Sequence, residues 1–401
     1  MNFKKIAIAA AAAAAATPAM AADLPVVAEP VNYVQACDAF GAGYFQLPGQ
    51  DTCIRVHGRI RTNYTSHDLT EGYNRTESGK GTAAYEAQNA YSAYAKGYIY
   101  LESMTDTEVA SIKTYTELNT KWDDDSSSKV EVGSAYVQFG FDNTSVLIGR
   151  SGSVFSAFGG YSAIGTVGPA AGGEDALQIS ATTSFGNGFT ASFGVMDSAA
   201  SGNAFDLVNA MGTTTDEISQ KATKSANFEA SLGVTQGMFS ANVSAAAHAF
   251  NDYDFDTSAV TDKVAYGYAV AATIEADVAE NIKLGFGATY SHNAVTYAGG
   301  LADGIPGGAY ESRDDALRAY TLVGGVEAAL SDKLTAALDV AYTNFDQKDD
   351  DASFTSVNGS LNYAPVAGLN LILDAGWGNL DVDGDDDADV AKVTTRVQYT
   401  F

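Results

Sequence analysis

Residues 389–401 read D-V-A-K-V-T-T-R-V-Q-Y-T-F. In a β-strand successive side chains point to opposite faces. Val393, Thr395, Val397, Tyr399 and Phe401 therefore share one face, and Lys392, Thr394, Arg396 and Gln398 share the other. The first face is apolar and the second is charged and polar. A strand of a soluble sandwich would alternate in the same way, but here the apolar face runs up to an aromatic with no polar tail after it. In a membrane-spanning barrel the pattern has a direct meaning. The odd-numbered side chains meet lipid, Tyr399 and Phe401 stand in the interfacial aromatic girdle, and the even-numbered side chains face water inside.

The amino-terminal residues fit an exported chain. Lys4 and Lys5 precede an apolar run over residues 6–16, followed by Thr17, Pro18 and the small-residue sequence Ala19-Met20-Ala21. That order is the pattern of a secretory leader, with cleavage expected after Ala21. Loss of residues 1–21 leaves 20 basic against 49 acidic residues, a formal charge of −29. Such a charge excludes nucleic acid and anionic lipid surfaces as partners. Hydrophobic residues make up 46% of the chain, yet beyond the leader no segment reaches the roughly 18 consecutive apolar residues of a membrane helix. A membrane crossing would therefore be made by strands. The 40 Gly, 22 Tyr and 19 Phe against 7 Pro suit many short strands joined by turns. No linker or change of pattern divides residues 53–401, which are read as one barrel domain after an extension at residues 22–52.

The two cysteines, Cys37 and Cys53, bracket a short loop in a chain sent to an oxidising compartment. A disulfide is the expected state, contributing about 3 kcal/mol in the chain-entropy picture. No Cys or His partner stands at metal-ligand spacing, so no metal or cofactor is expected.

From Cys53 onward about sixteen alternating segments can be counted. The first, residues 54–64, sets Arg55, His57, Arg59 and Arg61 on one face. The pair at residues 176–184 and 189–197 meets at Asn187-Gly188, a strong hairpin signal. Along residues 369–380, Leu369, Leu371, Leu373, Ala375 and Trp377 stand opposite Asn370, Asp374 and Gly376. Short turns alternate with long polar connections at residues 66–89, 121–129, 151–175, 198–223, 251–262, 296–315, 347–351 and 381–387. Segregation of short turns to one end and long loops to the other is the plan of an all-β, transmembrane antiparallel barrel of the outer membrane.

Sixteen strands enclose a lumen too wide for side chains to fill. Residues 151–175, the third long connection, carry Phe155, Phe158, Tyr161 and Ile164, which would be out of place in a water-facing loop and suggest that it folds inward. Its end holds Glu174 and Asp175. On the wall Arg55, Arg59 and Arg61 form a basic row with His57, and Lys96, Lys113 and Arg150 follow in strand order. Acid on the loop facing base on the wall would set a transverse field across a constriction. A solvated loop end and ion pairs between neighbouring strands are the alternatives. The aspartate runs at residues 123–125, 349–351 and 381–387 fall in expected external loops. The last lacks the bidentate Glu of a calcium loop, so an acidic rim is the reading, with loose Ca²⁺ or Mg²⁺ binding beside lipopolysaccharide phosphates as the alternative. His57, His67, His248 and His292 lie on different segments and form no catalytic motif, so no enzyme activity is expected.

V-N-Y-V-Q-A-C-D-A-F-G-A-G-Y-F-Q-L-P-G-Q-D-T-C-I-R-V-H-G at residues 31–58, I-G-R-S-G-S-V-F at 148–155, S-F-G-N-G-F-T-A-S at 184–192 and the closing R-V-Q-Y-T-F together resemble the alphaproteobacterial trimeric porin family. The resemblance implies a sixteen-stranded homotrimeric general-diffusion porin in the bacterial outer membrane, surrounded by lipid and lipopolysaccharide, with its third loop folded into the pore. It also makes Tyr399 and Phe401 the expected assembly signal. Family members often end R-V-Q-R-D-F, whereas here Tyr399 and Thr400 precede Phe401, and the third loop is richer in glycine than the family's. Small hydrophilic solutes and ions are the expected cargo, with weak cation selectivity from the acidic loops. A solute-specific channel, for example for a sugar, is the alternative, with Tyr94, Tyr98, Tyr100 and Tyr115 as its aromatic track.

Overall fold

The computed structural model describes residues 35–47, 49, 51–66, 91–123, 129–168, 171–198, 204–208, 214–219, 222, 224–254, 257, 259–299, 316–347, 350–382 and 388–401. The expected leader, residues 22–34, His67, Asp124, Asp125, Asp349 and residues 383–387 lie outside them. Sixteen strands form the wall: β1 Cys53–Ser66, β2 Tyr91–Asp106, β3 Ser111–Asp123, β4 Lys129–Phe141, β5 Thr144–Ser151, β6 Ala176–Gly186, β7 Phe189–Asp197 and β8 Ala226–Gln236. They continue as β9 Phe239–Asp254, β10 Ala259–Ala279, β11 Ile282–His292, β12 Arg318–Ser331, β13 Leu334–Gln347, β14 Asp350–Tyr363, β15 Leu369–Val382 and β16 Ala388–Thr400. Each pairs antiparallel with the next, and β16 returns to β1 in a ladder from Val393↔Ser66 to Thr400↔Arg59. Gly58 and Phe401 extend it by exchanging backbone bonds of 2.9 and 3.0 Å. Closure pairs the strands at what would otherwise be two open edges, as a lipid environment demands.

Alternation decides which face meets which medium. Val56 and Ile60 on β1, Ile99 on β2, Leu232 on β8, Ile274 on β10 and Val397 on β16 are each half exposed on one face of the sheet. The intervening positions carry Arg59, Tyr98, Glu229, Asp339 and Asp374. Apolar outside and polar inside is the reverse of a soluble domain and matches the sequence reading. The Asn187-Gly188 turn between β6 and β7 has positive φ at both residues, 50° and 77°, the geometry that suits the right-handed twist of a hairpin.

Three buried apolar clusters include residues of the connection after β5. Phe155 packs with Ala246, Ala269, Ala271 and Tyr297. Phe158 packs with Val323 and Ala341, and Val167 joins Leu317, Phe345, Phe354 and Leu380. Each of these three joins a residue of the 152–175 connection to second-half strands, two of them also to the segment between β11 and β12.

Several expected boundaries are revised. The supposed loop at residues 251–262 is largely strand, with Tyr253↔Val260 and Asp254↔Ala259 still paired, and β13 and β14 pair as far as Gln347↔Asp350. Ladders persist beyond the apolar band because backbone pairing needs no hydrophobic side chain, so hydrophobic alternation underestimates their length. Lys121 to Asp123 belong to β3 for the same reason, and the turn expected at residues 105–107 sits at 107–110. In the connection at 198–223, Ala204–Val208 and Thr214–Ser219 form a separate hairpin. At the other extreme, β11 stops at His292. Asn293 takes a positive φ of 49°, and Val295–Tyr297 make a single 3₁₀ turn that buries Tyr297.

Candidate functional site

The inward face of β16, β1, β2 and β3 carries a cluster of basic residues, among them Arg55, Arg59, Arg61, Lys96, Lys113, Lys121 and Arg396. Its register sets Arg59 beside Tyr98, Arg61 beside Lys96, and Lys96 beside Lys121. On the other side of β1, Arg61 stands across from Gln398 and Asn63 across from Arg396. Tyrosines hold these cations in place. The Arg59 guanidinium lies 4.0 Å from the centre of the Tyr98 ring, Lys96 Nζ 5.0 Å and Arg61 5.6 Å from the same ring, and Lys121 5.2 Å from Tyr94. Contacts of this kind are favourable by about 0.5–2 kcal/mol each, more where water is excluded. Arg61 Nε also donates to Gln398 at 3.0 Å and Arg396 Nε to Asn63 at 2.8 Å. Among the described residues Lys121 is paired with Asp123 at 2.6 Å, whereas Arg59, Arg61, Lys96 and Arg396 have no carboxylate within ion-pair distance. Four cations without a carboxylate in ion-pair distance among the described residues therefore stand on one face together. The aromatic row continues through Tyr98, Tyr100, Tyr115 and Tyr136, with neighbouring centroids 6.1, 6.2 and 5.3 Å apart.

Nearer the short turns the charges are balanced. Glu102, 7% exposed, accepts from Tyr44 Oη at 2.8 Å, meets His57 Nε2 at 2.9 Å and pairs with Lys113 at 3.2 Å and Arg55 at 3.7 Å. One buried carboxylate thus serves the lower part of the basic row, as it must to stay ionised away from water.

The connection after β5 is fastened to the opposite wall by carboxylates that the sequence reading did not single out. Glu229 on β8 accepts from Ser153 Oγ at 2.5 Å, the Phe155 N–H at 2.9 Å and Tyr297 Oη at 2.9 Å. Asp339 on β13 accepts the N–H groups of Tyr161 and Ser162 at 2.7 and 2.5 Å. Asp374 on β15 accepts those of Ile164, Gly165 and Thr166 at 3.1, 3.2 and 3.0 Å. On β14, Ser360 takes the Ala163 N–H at 3.0 Å and Asn358 the Val167 N–H at 2.9 Å. Hydrogen bonds to charged acceptors are the strong kind, and successive N–H groups aimed at one carboxylate make a ready anion cradle. Small residues make room beneath. A Cβ at Gly285 or Gly287 on β11 would collide with Phe158, and one at Gly376 on β15 would fall 2.8 Å from Val167 Cβ. The bonds of this segment thus run from β8 to β15, and Arg396 Nη1 reaches the Ala163 carbonyl at 3.5 Å.

Of the residues expected to act together, the geometry gathers Arg55, Arg59, Arg61 and Lys113 on one wall, with Lys113 and Arg55 sharing Glu102. Arg150 does not join them. It follows outward-facing Ile148 in alternation, pairs with exposed Leu177, and its Nε donates to the Gly133 carbonyl at 3.0 Å. Glu174 and Asp175 are exposed at the base of the loop, just before β6, with Asp175 beside Gly152. Cys37 and Cys53 are bonded. Tyr399 and Phe401 are on the outer face, and the Phe401 ring fills the notch left by Gly58. The residues missed, Glu229, Asp339, Asp374 and Asn358, share one signal: a carboxylate or amide on the polar face of a strand, in a wall where Gly also occurs on that face.

A family model described as "Porin subfamily" matches residues 23–400. The chain belongs to that porin family. Porin Omp2b of Brucella suis biovar 1 is 34% identical over 207 residues, covering 48% of this chain and 53% of the relative. The chain thus spans about half the length of the curated relatives it matches. Among solved structures, the outer membrane channel DcaP of Acinetobacter baumannii superposes with a TM-score of 0.66 at 14% identity, covering 87% of this chain and 97% of the other. The trimer form of OmpT of Vibrio cholerae gives 0.56 at 11%, covering 88% and 100%. These likenesses are of fold. This porin is accordingly a sixteen-stranded β-barrel of the bacterial outer membrane.

Proposed function

We propose that this porin is a passive aqueous channel for small hydrophilic solutes and ions, working as a homotrimer. The observation that carries the reading is the division of labour inside the ring. The loop is fastened to the β8–β15 wall, and Arg59, Arg61, Lys96 and Arg396 on the β16–β3 wall have no carboxylate partner among the described residues. The narrow zone then lies between that loop and this cationic wall. Arg55 and Lys113 contribute less, because Glu102 already offsets them, and Glu174 with Asp175 adds negative charge where the loop begins and ends.

Ion preference follows from two opposed zones. The mature charge of −29 enriches cations at the mouth, but its reach is about 10 Å at 0.1 M salt and about 3 Å at 1 M. The wall cations act at contact distance, where screening is weak. Weak cation selectivity is therefore proposed at low salt, fading as salt rises and turning towards anions near 1 M. Reversal potentials across a KCl gradient at successive mean concentrations test this, and a preference for Cl⁻ already present at low salt would overturn the role given to the acidic mouth. The aromatic row of Tyr98, Tyr100, Tyr115 and Tyr136 favours a second reading, a channel specific for one solute class. Saturable block of the current by a sugar would select it. Rates of liposome swelling that fall smoothly with sugar size would select general diffusion.

A further inference from the structure

β16 covers the edge of β1 only as far as Gly58, where Phe401 makes its two backbone bonds. Below that point Cys53 and Ile54 pair with Gln46 and Phe45, and these pair in turn with Gln35 and Ala36. The extension thus continues the sheet beneath the seam. Ile54 is on the outer parity of β1 and Cys53 on the inner, so Phe45 takes the outer face and Gln46 the inner. Tyr44, two positions from Gln46, is also inward. It is 6% exposed, its hydroxyl donates to Glu102, and the Arg55 guanidinium lies 5.7 Å from its ring centre. Burial, and then the bond to Glu102, pushes this hydroxyl up to about 12, so it remains a donor at any ordinary pH. Cys37, Tyr44 and Cys53 form a buried cluster backed by Phe40 and Met104, and the Cys37 N–H bonds the Tyr44 carbonyl at 3.0 Å.

Two-residue pairings are too short to hold a segment by themselves. The disulfide closes the loop over 16 positions of sequence and supplies the missing constraint. Resting on the channel reading above, we propose that the clamped extension is a second selectivity element. It narrows the short-turn end of the pore, and Tyr44 is a positioning residue that keeps Glu102 turned onto Arg55, His57 and Lys113 and out of the ion path. Loss of the clamp would free the flap and widen that end. Loss of the hydroxyl alone would leave the flap in place and release part of the Glu102 charge to passing ions.

The test uses whole protein already inserted in planar bilayers, so that assembly is complete before anything changes. A membrane-impermeant phosphine is added on the short-turn side. It cleaves the S–S bond to two thiols as the phosphine becomes its oxide, with oxygen and both protons coming from water. Single-channel conductance should step upward and return on reoxidation. A variant with Cys37→Ser and Cys53→Ser should show the raised conductance from the outset and no response to the phosphine. Tyr44→Phe, which keeps the disulfide, should leave conductance unchanged and shift the reversal potential towards cations. Unchanged conductance after thiol labelling has verified full reduction would overturn the clamp, and an unshifted potential in Tyr44→Phe would overturn the role of Tyr44. Either failure leaves a conducting channel, whereas a wild-type protein without conductance overturns the channel reading itself.

Discussion

Gly58 shows how one missing side chain closes the barrel. A Cβ there would fall 2.6 Å from Phe401 Cζ and 2.9 Å from the Tyr98 carbonyl, so Gly58→Ala must push the terminal ring out of its notch. Overpacking of this kind costs about 1–3 kcal/mol, and the heat-modifiable assembled form should dissociate at a lower temperature on semi-native gels. Deleting Phe401 removes the ring and both backbone bonds to Gly58. Assembled protein in the outer membrane should fall sharply while synthesis continues, and normal levels would argue against Tyr399 and Phe401 as an assembly signal. At this scale the sequence was informative about faces and silent about partners. Arg55, Arg59, Arg61 and Lys113 could be placed on one side of their strands from alternation alone, and Asp374 could be placed opposite Leu373. That Asp374 receives three loop N–H groups could not be foreseen, because those donors come from about 210 residues earlier in the chain. Arg150 shares the parity of Ile148 and pairs with exposed Leu177, a local signal of its face that strand order alone does not carry.

The connection after β5 is held as an element by a few charged acceptors. Asp339→Asn and Asp374→Asn together weaken five backbone N–H bonds without changing side-chain volume. Bonds to a charged acceptor contribute about 1.5–3 kcal/mol and neutral ones about 1. The double variant should therefore assemble normally but carry a larger and noisier open-channel current. Gly287→Leu attacks the same element from below by displacing Phe158, and it should act in the same direction. An unchanged current in both would show that this loop does not bound the pore. Strand count and most turns were legible, since Asn187-Gly188 and the alternation on β15 and β16 are local signals. Strand ends were not, because pairs such as Tyr253↔Val260 lie beyond the apolar band, where pattern and pairing part company. The inward turn of Val295–Tyr297 carries no local signal. It is fixed by packing of Tyr297 on Phe155 at a centroid distance of 5.0 Å and by the bond to Glu229.

The ring as a whole works by segregation. Residues on the outer face are apolar, the connection after β5 is bonded to β8, β13, β14 and β15, and β16, β1 and β2 present Arg396, Arg59, Arg61 and Lys96 among tyrosines. Substituting Gln for both Arg59 and Arg61 should deepen cation preference, most visibly at high salt, because these charges lie where the mouth potential is screened away. Neutralising Glu174 and Asp175 should shift the reversal potential the other way, and mainly at low salt. The central claim is that water fills the space between loop and wall, and single-channel recording of purified protein in planar bilayers addresses it most directly. The account predicts discrete openings whose conductance rises in proportion to bulk KCl conductivity, with larger steps when Asp339 and Asp374 are both replaced by Asn. Folded, heat-modifiable protein that inserts but passes no current at any salt concentration would contradict it.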